Sequence, residues 1–175
     1  MANFDKIGKK SEFKEKTLDL RRVTRVVAGG KRFRFRATVI IGDERGRVGV
    51  GVAKGLDAAQ AVQKAQTDAR RNIMTVPLVG RTIPHQVSAK FSAARIIIRP
   101  APKGHGLKAG GAARSVLLLA GVRDATAKIL GGTKNKLTNA MAAVEALKML
   151  KPARHSKAEQ DDKIQEKAID KPENE

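Results

Sequence analysis

Gly46-Arg-Val-Gly-Val-Gly-Val-Ala-Lys-Gly55 (GRVGVGVAKG) places four glycines and a lysine ahead of a helix-like run. As a loop, such a stretch would cradle a phosphate with bare backbone N–H groups. As a strand, it would alternate, and it does. Val48, Val50 and Val52 fall between Arg47, Gly49, Gly51 and Ala53, a period of two. The nucleotide motifs also fail letter by letter. A dinucleotide fingerprint opening at Gly49 needs glycine at its sixth position, which is Lys54, and no Gly-Lys-Ser or Gly-Lys-Thr occurs for a P-loop. The stretch therefore reads as a strand. Its valines turn inward, and its glycines leave the other face bare for a helix or backbone to approach.

The flanking residues build a domain around it. Leu18–Val27 (LDLRRVTRVV) is strand-like, and Ala28-Gly29-Gly30-Lys31 reads as a hairpin turn. From Arg32 the chain alternates again. Phe33, Phe35, Ala37, Val39 and Ile41 form an expected core face, and Arg32, Arg34, Arg36 and Thr38 the opposite one. Same-face guanidinium groups then stand about 6.5–7 Å apart. Gly42 to Gly46 is the next turn. Asp57 opens a helix, with Gln60 placed as in a capping box. Ala58, Ala61, Val62, Ala65, Ala69 and Ile73 share one face of that helix, away from Lys64, Arg70 and Arg71. The first half is β-β-β-α and ends near Pro77 and Val79-Gly80.

A second unit follows. Thr82–Ala89 and Ala93–Arg99 are strand candidates, and Pro100 to Gly111 is a basic, glycine-rich loop. A helix is expected over Ala112–Ala120 with Gly121 as its stop, then a short strand over Ala125–Leu130. A last helix carries Leu137, Ala140, Met141, Val144 and Leu147 on one face and ends before Pro152. The expected organisation is a flexible tail over 1–14, domains over 15–79 and 80–152, and a charged, disordered tail over 153–175.

Charge decides the class of partner. The chain has 175 residues, with 36 Lys/Arg against 17 Asp/Glu, a formal net charge of +19. Its last twenty residues hold four basic and seven acidic side chains, so the rest carries 32 against 10, a net of +22. Ten Lys/Arg and no acid lie between Asp68 and Asp124, and seven lie between Asp19 and Asp43. Self-repulsion on this scale opposes compactness unless a polyanion is near, and nucleic acid is the expected partner. Five Phe with no Tyr or Trp offer few rings for stacking a single strand, which favours contact with phosphates and folded shape. No cysteine is present, so disulfides and thiolate metal sites are excluded. No apolar run approaches the ~18 residues of a membrane span, and the first residues lack the apolar core of a signal peptide. The expected location is cytoplasmic.

Two long segments carry a resemblance. Gly29–Gly55 (GGKRFRFRATVIIGDERGRVGVGVAKG) and Thr82–Gly132 (TIPHQVSAKFSAARIIIRPAPKGHGLKAGGAARSVLLLAGVRDATAKILGG) resemble the signature of bacterial small-subunit ribosomal protein five, in that family's order. The likeness runs from about Arg22 to Leu150. It departs at Asn135-Lys136-Leu137-Thr138-Asn139, where the family usually has Asn-Pro, so a different start to the last helix is expected. The resemblance implies an α+β fold of two small domains. The first is a double-stranded-RNA-binding-like β-β-β-α domain, and the second a β-α-β domain with a left-handed crossover, against the usual hand. It also implies a structural, non-enzymatic role in the small ribosomal subunit. The implied partners are small-subunit rRNA and ribosomal proteins four and eight, with mRNA nearby where it enters. The implied setting is the hinge between head and body, with Ala28, Gly29, Gly30 and Lys31 on the spectinomycin side and Arg114 toward protein four, whose contact supports decoding accuracy.

The candidate rRNA-binding residues are Arg21, Arg22, Arg25, Gly29, Gly30, Lys31, Arg32, Arg34, Arg36, Lys54, Lys103 and Lys108. The arginines would act as forked donors to phosphate. The loop Lys103 to Gly111 would offer bare amides at a helix start. His85, His105 and His155 are scattered with no partner at ligand spacing, so no metal site or cofactor is expected. No acid/base pair points to catalysis, since Asp43-Glu44 reads as turn chemistry and Asp161-Asp162 lies in the tail. A free-standing double-stranded-RNA regulator and a nucleotide-using enzyme are the rival readings. The Thr82–Gly132 block argues against the first and the missing phosphate motif against the second.

Overall fold

The valine–glycine stretch is the strand its alternation predicts. The computed structural model describes residues 13–152, so the expected disordered segment 153–175 and residues 1–12 lie outside the described residues. Strands β1 (Lys14–Val27), β2 (Gly30–Gly42), β3 (Arg47–Gly55) and β4 (Met74–Thr75) form one antiparallel sheet in that order, with helix α1 (Ala58–Arg71) between β3 and β4. The glycines of β3 make room for α1. A Cβ on Gly49 would lie 2.4 Å from the Ala69 carbonyl oxygen, and one on Gly51 would lie 2.2 Å from the Ala65 oxygen. Ala61, Ala65 and Ala69 of α1 fill that space together with Ala37, Val39 and Ile41 of β2. Small side chains on both surfaces let helix and sheet close on each other. α1 also covers the open edge of β3, where the Asp68 carboxylate accepts the Val52 N–H at 2.8 Å.

The expected division of β2 into a core face and an arginine face fails at both ends, although Arg32, Arg34 and Arg36 do share one face. From Ala37 to Gly42 both faces are buried, and Thr38 and Ile40 are as enclosed as Val39. There β2 is a central strand, with α1 on one side and the second half of the chain on the other. Ile40, Val48 and Val50 enter a larger core built chiefly from that second half. Phe33, expected inside, is 47% exposed. It lies past Phe35 opposite Gly55, where β3 stops flanking β2. The helix start differs in detail from a capping box. The Asp57 side chain makes no cap hydrogen bond, and Gln60 Oε1 accepts instead from the Leu56 N–H at 3.0 Å.

The second sheet has the order β5-β6-β8-β7, from β5 (Val87–Phe91), β6 (Ala94–Pro100), β7 (Leu107–Lys108) and β8 (Ala125–Ile129). Helix α2 (Gly111–Leu119) connects β7 to β8, which are parallel, and this is the β-α-β unit. Helix α3 (Lys136–Lys148) packs on β5, β6 and α2. The strand expected from Thr82 begins only at Val87. Val79 and Thr82 exchange backbone hydrogen bonds of 2.9 and 3.1 Å around Gly80, and Pro84 has no N–H to give a ladder. α3 starts at Lys136 with Asn135 as its cap, whose side chain accepts from the Leu137 N–H at 3.1 Å. Lys136 is thus the first helical residue, the position where proline is best tolerated. Exchanging proline for lysine there needs no shift of the helix start.

The two halves meet backbone to backbone. Glu44 N and Gly46 N, in the turn between β2 and β3, donate to the carbonyls of Leu119 and Ala120, each at 3.0 Å. These carbonyls end α2 and lack intrahelical partners. The helix closes on itself as well, with Gly121 N donating to Leu118 O at 3.1 Å and Val122 N to Leu117 O at 3.0 Å, a Schellman pattern. Gly121 is required twice over. Its φ is +89°, and a Cβ there would lie 2.3 Å from the Glu44 carbonyl oxygen. Gly42 faces the same joint, where a Cβ would lie 2.2 Å from Leu119 O.

Candidate nucleic-acid interface

Residues directly opposite in the antiparallel sheet share a face, so the register sorts the arginines. Arg21 lies opposite Arg36, which lies opposite Lys54, giving a row of three cations across β1, β2 and β3. Arg25 lies opposite Arg32, and Arg34 lies opposite Val23. These six basic residues occupy one face. Arg22 and Lys31, grouped with them in the sequence reading, occupy the other, because they lie opposite Phe35 and Val26. The Arg22 guanidinium carbon sits 4.5 Å from the centre of the Phe33 ring.

The basic face is concave. Val23, Thr24, Arg25, Val27, Arg32, Arg34 and Lys54 line an open hollow of about 540 Å³. Like charges opposite each other in a sheet are destabilising, and this face stacks Arg25 on Arg32 and Arg21 on Arg36 on Lys54. One acid relieves the inner end. Asp19 pairs with Arg21 at 2.5 Å and with Lys136 at 3.7 Å, and Lys136 Nζ also donates to the Leu18 carbonyl at 3.3 Å. The hairpin closes at Ala28-Gly29, and Gly30 has φ +131°, which only glycine adopts without strain. Ala28, Gly29, Gly30 and Lys31 are all exposed at the tip.

The other sequence candidates belong to the second half. Lys103 lies in the loop before β7, Lys108 in β7 itself, and both are exposed. The loop is held from inside by Asp124, whose Oδ1 accepts the Gly106 N–H at 2.9 Å. Asp124 is 1% exposed, and its Oδ2 lies 3.3 Å from Arg81 Nε. The Arg81 carbonyl in turn accepts the N–H groups of Arg123 and Asp124. One Gly106 amide is therefore already engaged and is not offered outward, as the anion-loop reading supposed. Arg114 is exposed and donates to the Leu107 carbonyl at 3.2 Å, bracing β7. Arg81, Asp124 and the Asp19–Lys136 pair were not singled out by sequence reasoning. One signal was present for Asp124, which is the single acid between Asp68 and Glu145.

Asp43 shows how tightly the joint turn is built. Burial of its carboxylate acts to raise its pKa. Hydrogen bonds from the Arg47 side chain and from the Arg45 and Arg47 N–H groups, with the Arg47 charge, outweigh that and hold Asp43 below its ordinary value. The bonds measure 2.6, 2.8 and 2.9 Å. Among the described residues no group of three His, Asp or Glu side chains is placed to hold a metal ion, and no helix is long and apolar enough to cross a membrane.

Comparison with known proteins agrees with this geometry. A family model described as Ribosomal protein S5, N-terminal domain, matches residues 13–77, and one described as Ribosomal protein S5, C-terminal domain, matches residues 89–160. Small ribosomal subunit protein uS5c of Cyanophora paradoxa is 48% identical over 156 residues, 86% of this chain and 92% of that protein. Small ribosomal subunit protein uS5 of Synechococcus elongatus is 50% identical over 144 residues, 82% of this chain and 79% of that protein. Small ribosomal subunit protein uS5c of Spinacia oleracea is 51% identical over 140 residues, 79% of this chain, and the chain spans 45% of its length. With both family models matched in order, and with 48% and 50% identity to relatives of which the chain covers 92% and 79%, the chain belongs to the ribosomal protein S5 family, whose members are structural, non-enzymatic components of the small ribosomal subunit.

Proposed function

We propose that this chain is a structural constituent of the small ribosomal subunit that binds rRNA through the basic face of the β1–β2 hairpin. The observation that carries this is the stacking of like charges across the sheet: Arg25 on Arg32, and Arg21 on Arg36 on Lys54. A sheet that keeps such rows sets self-repulsion against its own stability, and phosphates on that face turn the penalty into binding. Lys103 and Lys108 form a second contact on the other half, where Asp124 holds the loop rigid. The exposed tip, Ala28 to Lys31, is directed at the hinge between head and body, on the spectinomycin side. Arg114 lies on the side of ribosomal protein four, and that contact supports decoding accuracy. Ribosomal protein eight and entering mRNA are the remaining neighbours. Family likeness supports these placements, and the charge map supports the rRNA contact. The mechanism is cohesion: two halves joined by backbone hold rRNA segments in register, and the chain does no chemistry.

Sucrose-gradient sedimentation of a lysate, with the tagged chain followed by blotting, tests the proposal. The expected result is co-migration with the small subunit at low and at high salt. A peak near the top of the gradient at both salts would refute it and favour a free-standing RNA-binding regulator.

A further inference from the structure

The hairpin has two faces, and only one of them is accounted for by phosphate contact. Beyond Phe35, β1 and β2 continue as a two-stranded ribbon with no third strand among the described residues. Opposite the arginine face, this ribbon carries Arg22, Val26, Lys31 and Phe33. Phe33 is 47% exposed and Val26 73%. The other phenylalanines among the described residues are all better covered. Phe13 lies under Arg47, Phe35 packs into the α1 cluster, and Phe91 packs against the larger core. Phe33 is thus the exposed ring of the described chain, and the Arg22 guanidinium lies over it, 4.5 Å from its centre.

Among the described residues no element covers this pair. Its surroundings narrow what does. Every charged residue between Asp19 and Asp43 is basic, so the ribbon selects a polyanion. A ring with a guanidinium stacked over it selects a flat π surface, and every nucleobase has one. Bases within a duplex hide that surface by stacking on each other, so the fit is to an unpaired base.

We infer that an unpaired base of the bound RNA stacks on the Arg22–Phe33 pair, so that the ribbon is held on both faces, by phosphates on one and by a base on the other. This rests on the rRNA-binding reading above. Stacking and phosphate contact differ in salt dependence, and that separates them: neutralising phosphates sets the slope of log affinity against log salt, whereas stacking shifts affinity with the slope kept.

The test uses the full chain and small-subunit rRNA particles reconstituted without this protein, with affinity measured across a salt series and unpaired bases probed with dimethyl sulfate. Phe33→Leu keeps an apolar side chain and removes the ring. It is expected to weaken binding roughly 5- to 150-fold at every salt with an unchanged slope, and to expose one base that the unaltered protein protects. Phe33→Trp is expected to restore both affinity and protection. Arg22→Gln, which leaves the ring in place, is expected to weaken binding and reduce the same protection. Arg34→Gln, on the opposite face, is expected to lower the slope and leave that base protected. Equal affinity of Phe33→Leu and the unaltered chain at all salts would overturn the inference. So would failure of Phe33→Trp to restore binding, or loss of a protein contact in place of a base protection. If the unaltered chain failed to bind the particle at any salt, the rRNA reading itself would fall, and this inference with it.

Discussion

Gly51→Ala isolates the close approach on which the first half is built. Gly51 has no positive φ, so alanine suits its backbone. The change would ordinarily stabilise by ~0.4–1 kcal/mol through the unfolded chain. Sterics reverse the sign. The new Cβ would lie 2.2 Å from Ala65 O, 2.3 Å from Ala69 N and 2.8 Å from Ala69 Cα, all backbone atoms of α1. No side-chain rotation relieves a backbone clash, so α1 must lift from β3 by about 1 Å, and a gap of that size forfeits a quarter to a half of each dispersion contact. Ala37, Val39 and Ile41 then lose contact with Ala61, Ala65 and Ala69. Overpacking costs about 1–3 kcal/mol, and contacts with no rotamer freedom stand at the upper end. After the unfolded-state gain the net loss is ~2 kcal/mol, which corresponds to about 1 M in urea midpoint and about 4–8 °C in Tm. Far-UV circular dichroism is the assay, because the chain has no Trp or Tyr for fluorescence. Gly132→Ala is the control, since nothing lies within 4 Å of its Cβ position, and it should be neutral or slightly stabilising. A Gly51→Ala midpoint within about 0.2 M of the parent, or the same loss in Gly132→Ala, would refute the reasoning.

Changing Arg32 and Arg34 together to Gln should lower the log–log salt slope of rRNA binding by about 1.4–1.8, or 0.7–0.9 per lost phosphate contact; an unchanged slope in filter binding would remove both residues from the interface. Asp43 has a folded-state pKa depressed below its ordinary value of 3.8. Its contribution to stability is complete above that value and is lost as pH falls through the lower folded-state pKa. Urea titrations from pH 6 downward should show Asp43→Asn with a shallower acid loss than the parent, and parallel curves would contradict the assignment. Asp124→Ala should cost ~1–3 kcal/mol and speed hydrogen exchange at the Gly106 amide, while Asp124→Asn, which keeps an acceptor for that amide, should cost less. Equal exchange rates in all three proteins would show that Asp124 does not hold the loop.

The strand reading of the valine–glycine stretch, the helix that closes on it and the clustering of arginine on β2 were all legible in the sequence, because each is a matter of period and spacing. What the sequence hid is set by distant neighbours. The burial of Thr38 and Ile40 depends on a second half that docks from elsewhere in the chain. The exposure of Phe33 depends on where β3 ends, not on its own alternation. The separation of Arg22 from Arg21 was present in the period-two pattern of β1, but the charge run masked it. The grip of Asp124 on Arg81 and Gly106 links residues 43 and 18 positions apart, and no local pattern encodes such a pair.

The joint between the β2–β3 turn and the end of α2 has a mechanical meaning. Amides of Glu44 and Gly46 meet carbonyls of Leu119 and Ala120, and Gly42 and Gly121 leave no side chain in the seam. Main-chain hydrogen bonds pin the seam at this point, and Ile40, Val48 and Val50 seat in the second half's core around it, so the joint resists slip and behaves as a weld. The ribbon beyond Phe35 is the opposite: two strands reaching about 20 Å with no third strand among the described residues to stiffen them. A load applied at the Ala28–Gly29 tip therefore bends the ribbon first and reaches the second half undiminished by slip at the joint. The molecule works as a compliant finger fixed to a stiff palm, and the finger gives first when its tip is pushed.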